Sequence, residues 1–160
     1  MGRAWVFGDN VSTDNIIPGR YNITSNPSEL RKYVFKYARP EFAEQVRPGD
    51  VVIGGKNFGC GSSREHAAIA LRECGVKLVA NSYGWIFRRN CVNLGVLPLE
   101  IPEKAIVNDG DFVEVDLVDL VLRDITLGRG QKLNPIPKFI LDICSSGGLV
   151  EYLNKERTYV

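Results

Sequence analysis

The stretch DVVIGGKNFGCGSSREHAAIALRECGVKLVA, Asp50 to Ala80, reads as a strand, a glycine-rich loop, a helix and a returning strand. Asp50-Val51-Val52-Ile53 is a short apolar run of the buried-strand kind that stops at Gly54-Gly55. Arg64 to Cys74 carries Ala67, Ala68, Ile69, Ala70, Leu71 and Cys74. That is apolar on nearly every face of the first two turns, which predicts a helix packed on more than one side. Val76 to Ala80 returns as a strand. Between strand and helix lies Gly59-Cys60-Gly61-Ser62-Ser63-Arg64-Glu65-His66, which brings two hydroxyls and a guanidinium to a helix start. Unpaired N–H groups and the positive end of the helix dipole converge at such a place, so a carboxylate or phosphate is the expected ligand.

The same loop has a plainer reading. Ser62 and Glu65 form an S-x-x-E capping box, in which serine accepts from an early helix N–H and glutamate reaches back to a backbone donor. Gly59, Gly61, Ser63 and Arg64 are surplus to capping, and each helps a backbone approach and hold an anion. The G-x-x-x-x-G-K-[ST] phosphate loop and the G-x-S-x-G nucleophile elbow are both absent from the sequence.

Outward from this segment, Arg3 to Phe7 reads as an opening strand and Gly8 to Arg20 as a long polar loop. Leu30, Val34, Phe35 and Ala38 sit at helical spacing, which predicts a helix over Ser28 to Ala38 that ends before Pro40. Gly84 to Leu94 reads as a second helix closed by Gly95, and Val96-Leu97 as a strand. Asp111 to Val115 and Leu117 to Leu122 read as further strands, Gly128-Arg129-Gly130 as a turn, and Pro137 to Ile143 and Leu149 to Leu153 as closing helices. The expectation is an α/β chain forming a single domain over 1–160.

At 160 residues, 44% hydrophobic and 24% charged, the chain can bury a real core. A formal net charge of +1 gives no basic excess, so nucleic acid is not an expected partner. No run approaches the roughly 20 apolar residues that span a bilayer, and the N-terminus lacks a signal-peptide pattern. A cytoplasmic protein without membrane contact is expected. Cys60, Cys74, Cys91 and Cys144 form no C-x-x-C pair, so no metal or cluster is expected on this chain. They are expected to be buried structural thiols.

Gly61-Ser62-Ser63-Arg64-Glu65-His66-Ala67-Ala68, preceded by Ser12-Thr13-Asp14-Asn15-Ile16-Ile17-Pro18, resembles the aconitase superfamily. Within it the resemblance is to the branch whose small subunit is a separate chain, the isopropylmalate dehydratases. Tyr83 to Asn90 and Asn93 to Pro98 are similar to the family's aromatic-x-x-Ile-Phe and Asn-x-Gly-Leu-x-Pro patterns, so the match runs from about Trp5 to Leu99. The resemblance implies a compact β/β/α swivelling domain, like the C-terminal domain of aconitase. It also implies a hydro-lyase of leucine biosynthesis, active in a hetero-oligomer with a large subunit that carries a [4Fe-4S] cluster.

By the same resemblance Ser62 is the catalytic base, and Ser63, Arg64 and Arg20 bind the carboxylates of a small dicarboxylate substrate. Asp14, Thr13 and Gly61 support them. A serine base must be held as an oxyanion, which helix N–H groups and nearby positive charge favour. His66, the single histidine, falls past the ligand-facing turn by helical spacing and is expected to make a supporting hydrogen bond. Read plainly, Asp9, Asn10, Ser12, Asp14 and Asn15 are turn formers and Arg20 a solvated loop charge. Arg88, Arg89 and Asn90 are expected to serve structure or the subunit contact. Relatives acting on homoaconitate have a Tyr-Leu-Arg-Thr-like loop, whereas Tyr21-Asn22-Ile23-Thr24 puts Ile23 where that arginine stands. Isoleucine suits an isopropyl group, while the polar Asn22 leaves a homoaconitase-type or dual-specificity isomerase open. A non-catalytic anion- or metabolite-binding domain is the reading from another class.

Overall fold

In β1 (Gly2–Val6), Trp5 points to one face of the sheet, while Ala4 and Val6 point to the other. The same alternation runs through β2 (Val51–Gly54), where Val52 opposes Val51 and Ile53, and through β3 (Lys77–Ala80), where Leu78 and Ala80 oppose Val79. A period of two with apolar residues on both faces requires a layer on each side of the strands. In the computed structural model, which describes residues 1–24 and 26–157, both layers are present.

The helical layer covers the Trp5 face. It comprises α1 (Thr13–Ile16), a 3-10 turn (Gly19–Tyr21), α2 (Pro27–Arg31), α3 (Phe42–Gln45), α4 (His66–Cys74) and α5 (Trp85–Asn93). Phe7, Phe35, Phe42, Phe58 and Phe87 knit it to the strands, with Phe7 stacked on Phe35 at 4.1 Å between ring centroids. The other layer is the sheet itself. After β4 (Pro98–Glu100) the chain forms β5 (Phe112–Asp116), β6 (Val121–Asp124) and β7 (Arg129–Lys132), and the sheet order is β4-β3-β2-β1-β5-β6-β7. Pairing is parallel from β4 to β1 and antiparallel from β1 to β7. Val113, Val115 and Leu122 share one core with Ala4, Val51, Ile53 and Val79, so the antiparallel half curls back over the parallel half. The expected β/β/α arrangement is what results. Helices α6 (Lys138–Ser145) and α7 (Leu149–Arg157) close the chain beside α5.

Five expectations need correction. The strand expected at Val96-Leu97 starts only at Pro98, as β4. The helix expected over Ser28 to Ala38 is only the short α2, capped by Asn26 accepting from the Ser28 N–H at 3.1 Å. The chain then turns with Phe35 at φ 53°, because the Phe35 N–H donates to the Ile16 carbonyl at 2.8 Å and its ring enters the aromatic core. Leu117 to Leu120 form a turn instead of a strand, fixed by Asp116 Oδ1 accepting from the Val118 and Asp119 N–H groups. Gly128 is turn-like, but Arg129 and Gly130 belong to β7. The polar loop from Gly8 to Arg20 contains α1 and the 3-10 turn.

Candidate active site

Because β1 and β2 are parallel neighbours, the segments leaving their C-terminal ends emerge side by side and continue to pair. Asn10 N–H donates to the Lys56 carbonyl at 2.8 Å, Gly59 N–H to Val11 at 2.7 Å and Thr13 N–H to Cys60 at 2.8 Å. Gly59 is at φ +76°, and a β-carbon there would overlap the buried Phe87 ring, so only glycine fits. Ser12 then caps α1 in a reciprocal box with Asn15, its Oγ accepting from the Asn15 N–H at 3.1 Å. Asp9 and Asn10 also serve the loops: Asp9 Oδ1 accepts from the Lys56 N–H and Asn10 Oδ1 from the Asn57 amide. The plain turn-capping reading therefore holds for Ser12 and Asn15, whereas Asp9 and Asn10 tie this loop to the one after β2, and Asp14 is unused by it.

The pairing delivers Ser62 to α1. Its N–H donates to the Oγ1 of buried Thr13 at 3.0 Å, and its Oγ accepts from the Arg64 N–H at 3.2 Å. Thr13, Asp14, Ser62, Arg64 and His66, with Asn22, line one small cavity of about 10 Å³. Arg64 Nη1 and Asp14 Oδ1 both come within 3.5 Å of where a Gly19 β-carbon would stand, so Gly19 leaves room for the two charges to converge. Among the described residues no side chain pairs with the Arg64 guanidinium, which stays open to an anion. Gly61, at φ +106°, lies against Thr13 and carries the chain through this turn.

The expected capping box is not formed. α4 begins at His66 with Glu65 as N-cap and no side-chain cap, and Ser62 lies three residues before that cap, outside the helix. Thr13 holds the Ser62 backbone and so keeps the serine out of the helix. The donor on the Ser62 oxygen is therefore a local turn N–H, that of Arg64, and not the helix terminus. His66 is correspondingly the first residue of the helix and lines the cavity, not a position beyond it. Its Nδ1 is buried without a partner among the described residues, so the expected supporting hydrogen bond is not made to them by that atom.

Ser63 is exposed, and its carbonyl accepts from the Asn90 amide at 3.4 Å. Asn90 is buried on α5 and braces the serine loop. Its place in Arg88-Arg89-Asn90 was legible, but the loop it would touch was not. Arg88 pairs with Glu100 at 3.2 Å. Ser63 is not part of the cavity lining, and two more expected substrate residues, Arg20 and Ile23, also stand apart from it. The Arg20 guanidinium lies over the rings of Tyr37, at 5.1 Å, and Tyr21, at 5.8 Å. Ile23 is 91% exposed.

A larger cleft, about 570 Å³, opens at the same strand ends on the Val6 and Ile53 side. It is lined by Asp9, Lys56, Glu103 and Lys104 among others, and Asp9 Oδ1 is already held by the Lys56 N–H at 2.7 Å. Among the described residues no His, Cys, Asp or Glu side chains cluster as three or more metal ligands. Cys74 and Cys91 are buried as expected; burial pushes the Cys74 thiol up to about 11 and the Cys91 thiol higher still. Cys60 and Cys144 are only partly buried. Among the described residues no helix is long and apolar enough to cross a membrane.

Residues 4–104 match the model of the aconitase C-terminal domain. The chain is 48% identical to the 3-isopropylmalate dehydratase small subunit 1 of Archaeoglobus fulgidus, over 98% of both chains. It is 45% identical to the isopropylmalate/citramalate isomerase small subunit of Methanocaldococcus jannaschii, over 97% of this chain and 94% of that one. A crystal structure of 3-isopropylmalate dehydratase from the latter organism superposes with a TM-score of 0.94 at 40% identity, covering 99% of this chain and 95% of that one.

Proposed function

Given that this chain belongs to the aconitase C-terminal domain family, we propose that it is the small subunit of a hydro-lyase interconverting 2-isopropylmalate and 3-isopropylmalate in leucine biosynthesis. The whole chain, 1–160, acts as one swivelling domain. The observation that carries this reading is the meeting of Ser62, Arg64, Asp14 and Thr13 on one cavity, in a chain whose relatives at 45–49% identity are named small subunits of that enzyme.

Dehydration beside a carboxylate requires removal of a weakly acidic C–H proton, and rehydration returns it at the neighbouring carbon. Ser62 is the base. Its oxygen takes the proton, the C–H electron pair forms the alkene, and the hydroxyl leaves the adjacent carbon with its bonding electrons, as hydroxide, which the iron of a large subunit's cluster would accept as a Lewis acid. A serine oxyanion is costly at neutral pH unless charge and N–H donors face it. The Arg64 N–H at 3.2 Å supplies one such donor, and the unpaired Arg64 guanidinium supplies positive charge and a planar fork for a substrate carboxylate. Ser63 and Arg20 complete carboxylate binding, Arg20 after leaving its tyrosine platform. Asp14, Thr13, Gly61 and His66 support the loop.

This chain's own residues do not suit an iron–sulfur cluster, since Cys74 and Cys91 are buried and no three ligating side chains gather among the described residues. The [4Fe-4S] cluster of this chemistry belongs to a separate large subunit, and no step on this chain passes through it. The protein works in the cytoplasm as part of a hetero-oligomer, away from membranes and nucleic acid. In the reassembled enzyme, Ser62→Ala lowers kcat by about 10²–10⁴-fold with subunit association unchanged. Turnover near the unsubstituted rate sinks the assignment.

One observation favours a broader substrate range: a relative at 45% identity is named for citramalate as well. Ile23 is 91% exposed and so does not itself wall off a pocket of fixed size. Comparing kcat/KM for isopropylmalate, citramalate and homocitrate, with and without Ile23→Arg, measures the range. A preference unmoved by that substitution removes Ile23 from substrate selection.

A further inference from the structure

Asn22 and His66 reach the serine cavity from different elements, and each brings a polar atom that nothing among the described residues satisfies. Asn22 caps the C-terminal end of the 3-10 turn, where its backbone N–H donates to the Gly19 carbonyl at 3.1 Å. His66 opens α4. Asn22 Oδ1 and His66 Nδ1 are both buried without a hydrogen-bond partner, and both residues line the cavity beside Ser62 and Arg64. Buried polar atoms are rarely left unpaired, because each forfeits the hydrogen bond it had in water. The cavity, about 10 Å³, is close to the smallest that accepts a single water, and its lining offers several polar partners.

We propose that one water bridges the two atoms, donating one hydrogen to Asn22 Oδ1 and the other to His66 Nδ1. The imidazole is then the neutral tautomer with its proton on Nε2. The bridge ties residues 20–24 to the first turn of α4, and Asn22 and His66 thereby become positioning residues for Arg20 and Ile23. The tie stands on the geometry alone; its effect on substrate binding rests on the isomerase reading above.

The chain has a single histidine, so its two ring nitrogens can be followed without ambiguity in ¹⁵N spectra of the full-length protein. The expected result is an unprotonated Nδ1 whose resonance moves on Asn22→Leu while Nε2 changes little. An Nδ1 that carries the proton, or one unmoved by Asn22→Leu, overturns the bridge. A second pair of variants covers the chance that Asn22→Leu disturbs the loop. Asparagine at 66 places a polar atom where Nδ1 was, and glutamine places one where Nε2 was. In the reassembled enzyme, His66→Gln raises KM for isopropylmalate about fivefold or more at little cost in kcat, while His66→Asn raises it about twofold or less. Equal KM values for the two variants overturn the positioning role. If the unsubstituted complex fails to turn over isopropylmalate, the isomerase reading falls and the ¹⁵N result still decides the bridge.

Discussion

Replacing Gly59 by alanine tests how far the serine loop depends on its packing against α5. Gly59 is at φ +76°, where a β-carbon costs about 1 kcal/mol. The new methyl group would also overlap the ring of Phe87, which is 2% exposed and fixed among Phe58, Tyr83 and the α5 backbone. Forcing a packed ring aside costs a further 1–3 kcal/mol or so, giving about 2–4 kcal/mol in all. For a chain of this size that corresponds to a fall in Tm of about 5–15 °C. With a urea m-value of about 2 kcal/mol/M, the midpoint falls by about 1–2 M. Gly8→Ala is the control: nothing lies within 4 Å of its β-carbon position, so its cost stays below about 0.5 kcal/mol. Urea unfolding of both variants, followed by far-UV circular dichroism, gives the comparison directly. A Gly59→Ala loss under about 1 kcal/mol, or one equal to that of Gly8→Ala, refutes the argument that Phe87 and the left-handed backbone hold this loop.

Asp50 is 5% exposed and accepts from the Trp5 indole at 3.0 Å and from the Arg3 and Arg47 N–H groups at 2.9 and 3.0 Å. Asp50→Ala therefore strands a buried indole N–H and costs about 3–5 kcal/mol by urea unfolding, while Asp50→Asn, keeping one oxygen, costs less. For Asp109, partial burial pushes the carboxyl up, but the two-pronged pair with Arg39 and the Val6 N–H outweigh it and hold the acid below its ordinary value. A lowered carboxyl stabilises the fold above the ordinary carboxylate range and loses that contribution as pH falls through its own value. The stability gap between the unsubstituted protein and Asp109→Asn should thus be full at neutral pH and shrink below about pH 4; a gap independent of pH contradicts this. Cys74 and Cys91, buried and with raised thiol values, should resist iodoacetamide at pH 8 in the folded protein and react on unfolding, as read by peptide mass spectrometry.

Most of the parallel half was legible, because β2 is an unbroken apolar run, α4 is largely apolar, and α4 and α5 are followed by Gly75 and Gly95; only β4 lay two residues beyond its expected place. Strand β7 was not legible, since Arg129–Lys132 is polar on both faces and is held by its backbone ladder to β6. The stretch after Leu30 misled for the opposite reason. Leu30, Val34 and Phe35 are all buried as their helical spacing suggests, but the hydrogen bond from Phe35 to Ile16 turns the chain out of helix. Periodicity reports which residues seek the core, and it is blind to a distant carbonyl that offers a better backbone partner.

By itself the sequence determined the two-faced strands, the residue types Ser62, Ser63, Arg64 and Asp14, and the lack of cluster-spaced cysteines, because each is carried by local pattern. Only the tertiary structure decided how they meet. Parallel pairing of β1 with β2 sets the loop of Thr13 beside that of Ser62, and the Thr13 hydroxyl takes the Ser62 N–H that a helix cap would have left to solvent. It also moved the helix start to His66 and turned Arg20 onto Tyr37. Those outcomes depend on partners some 50 residues apart for the loops and on ring faces brought close by folding, and no window of neighbouring residues contains them.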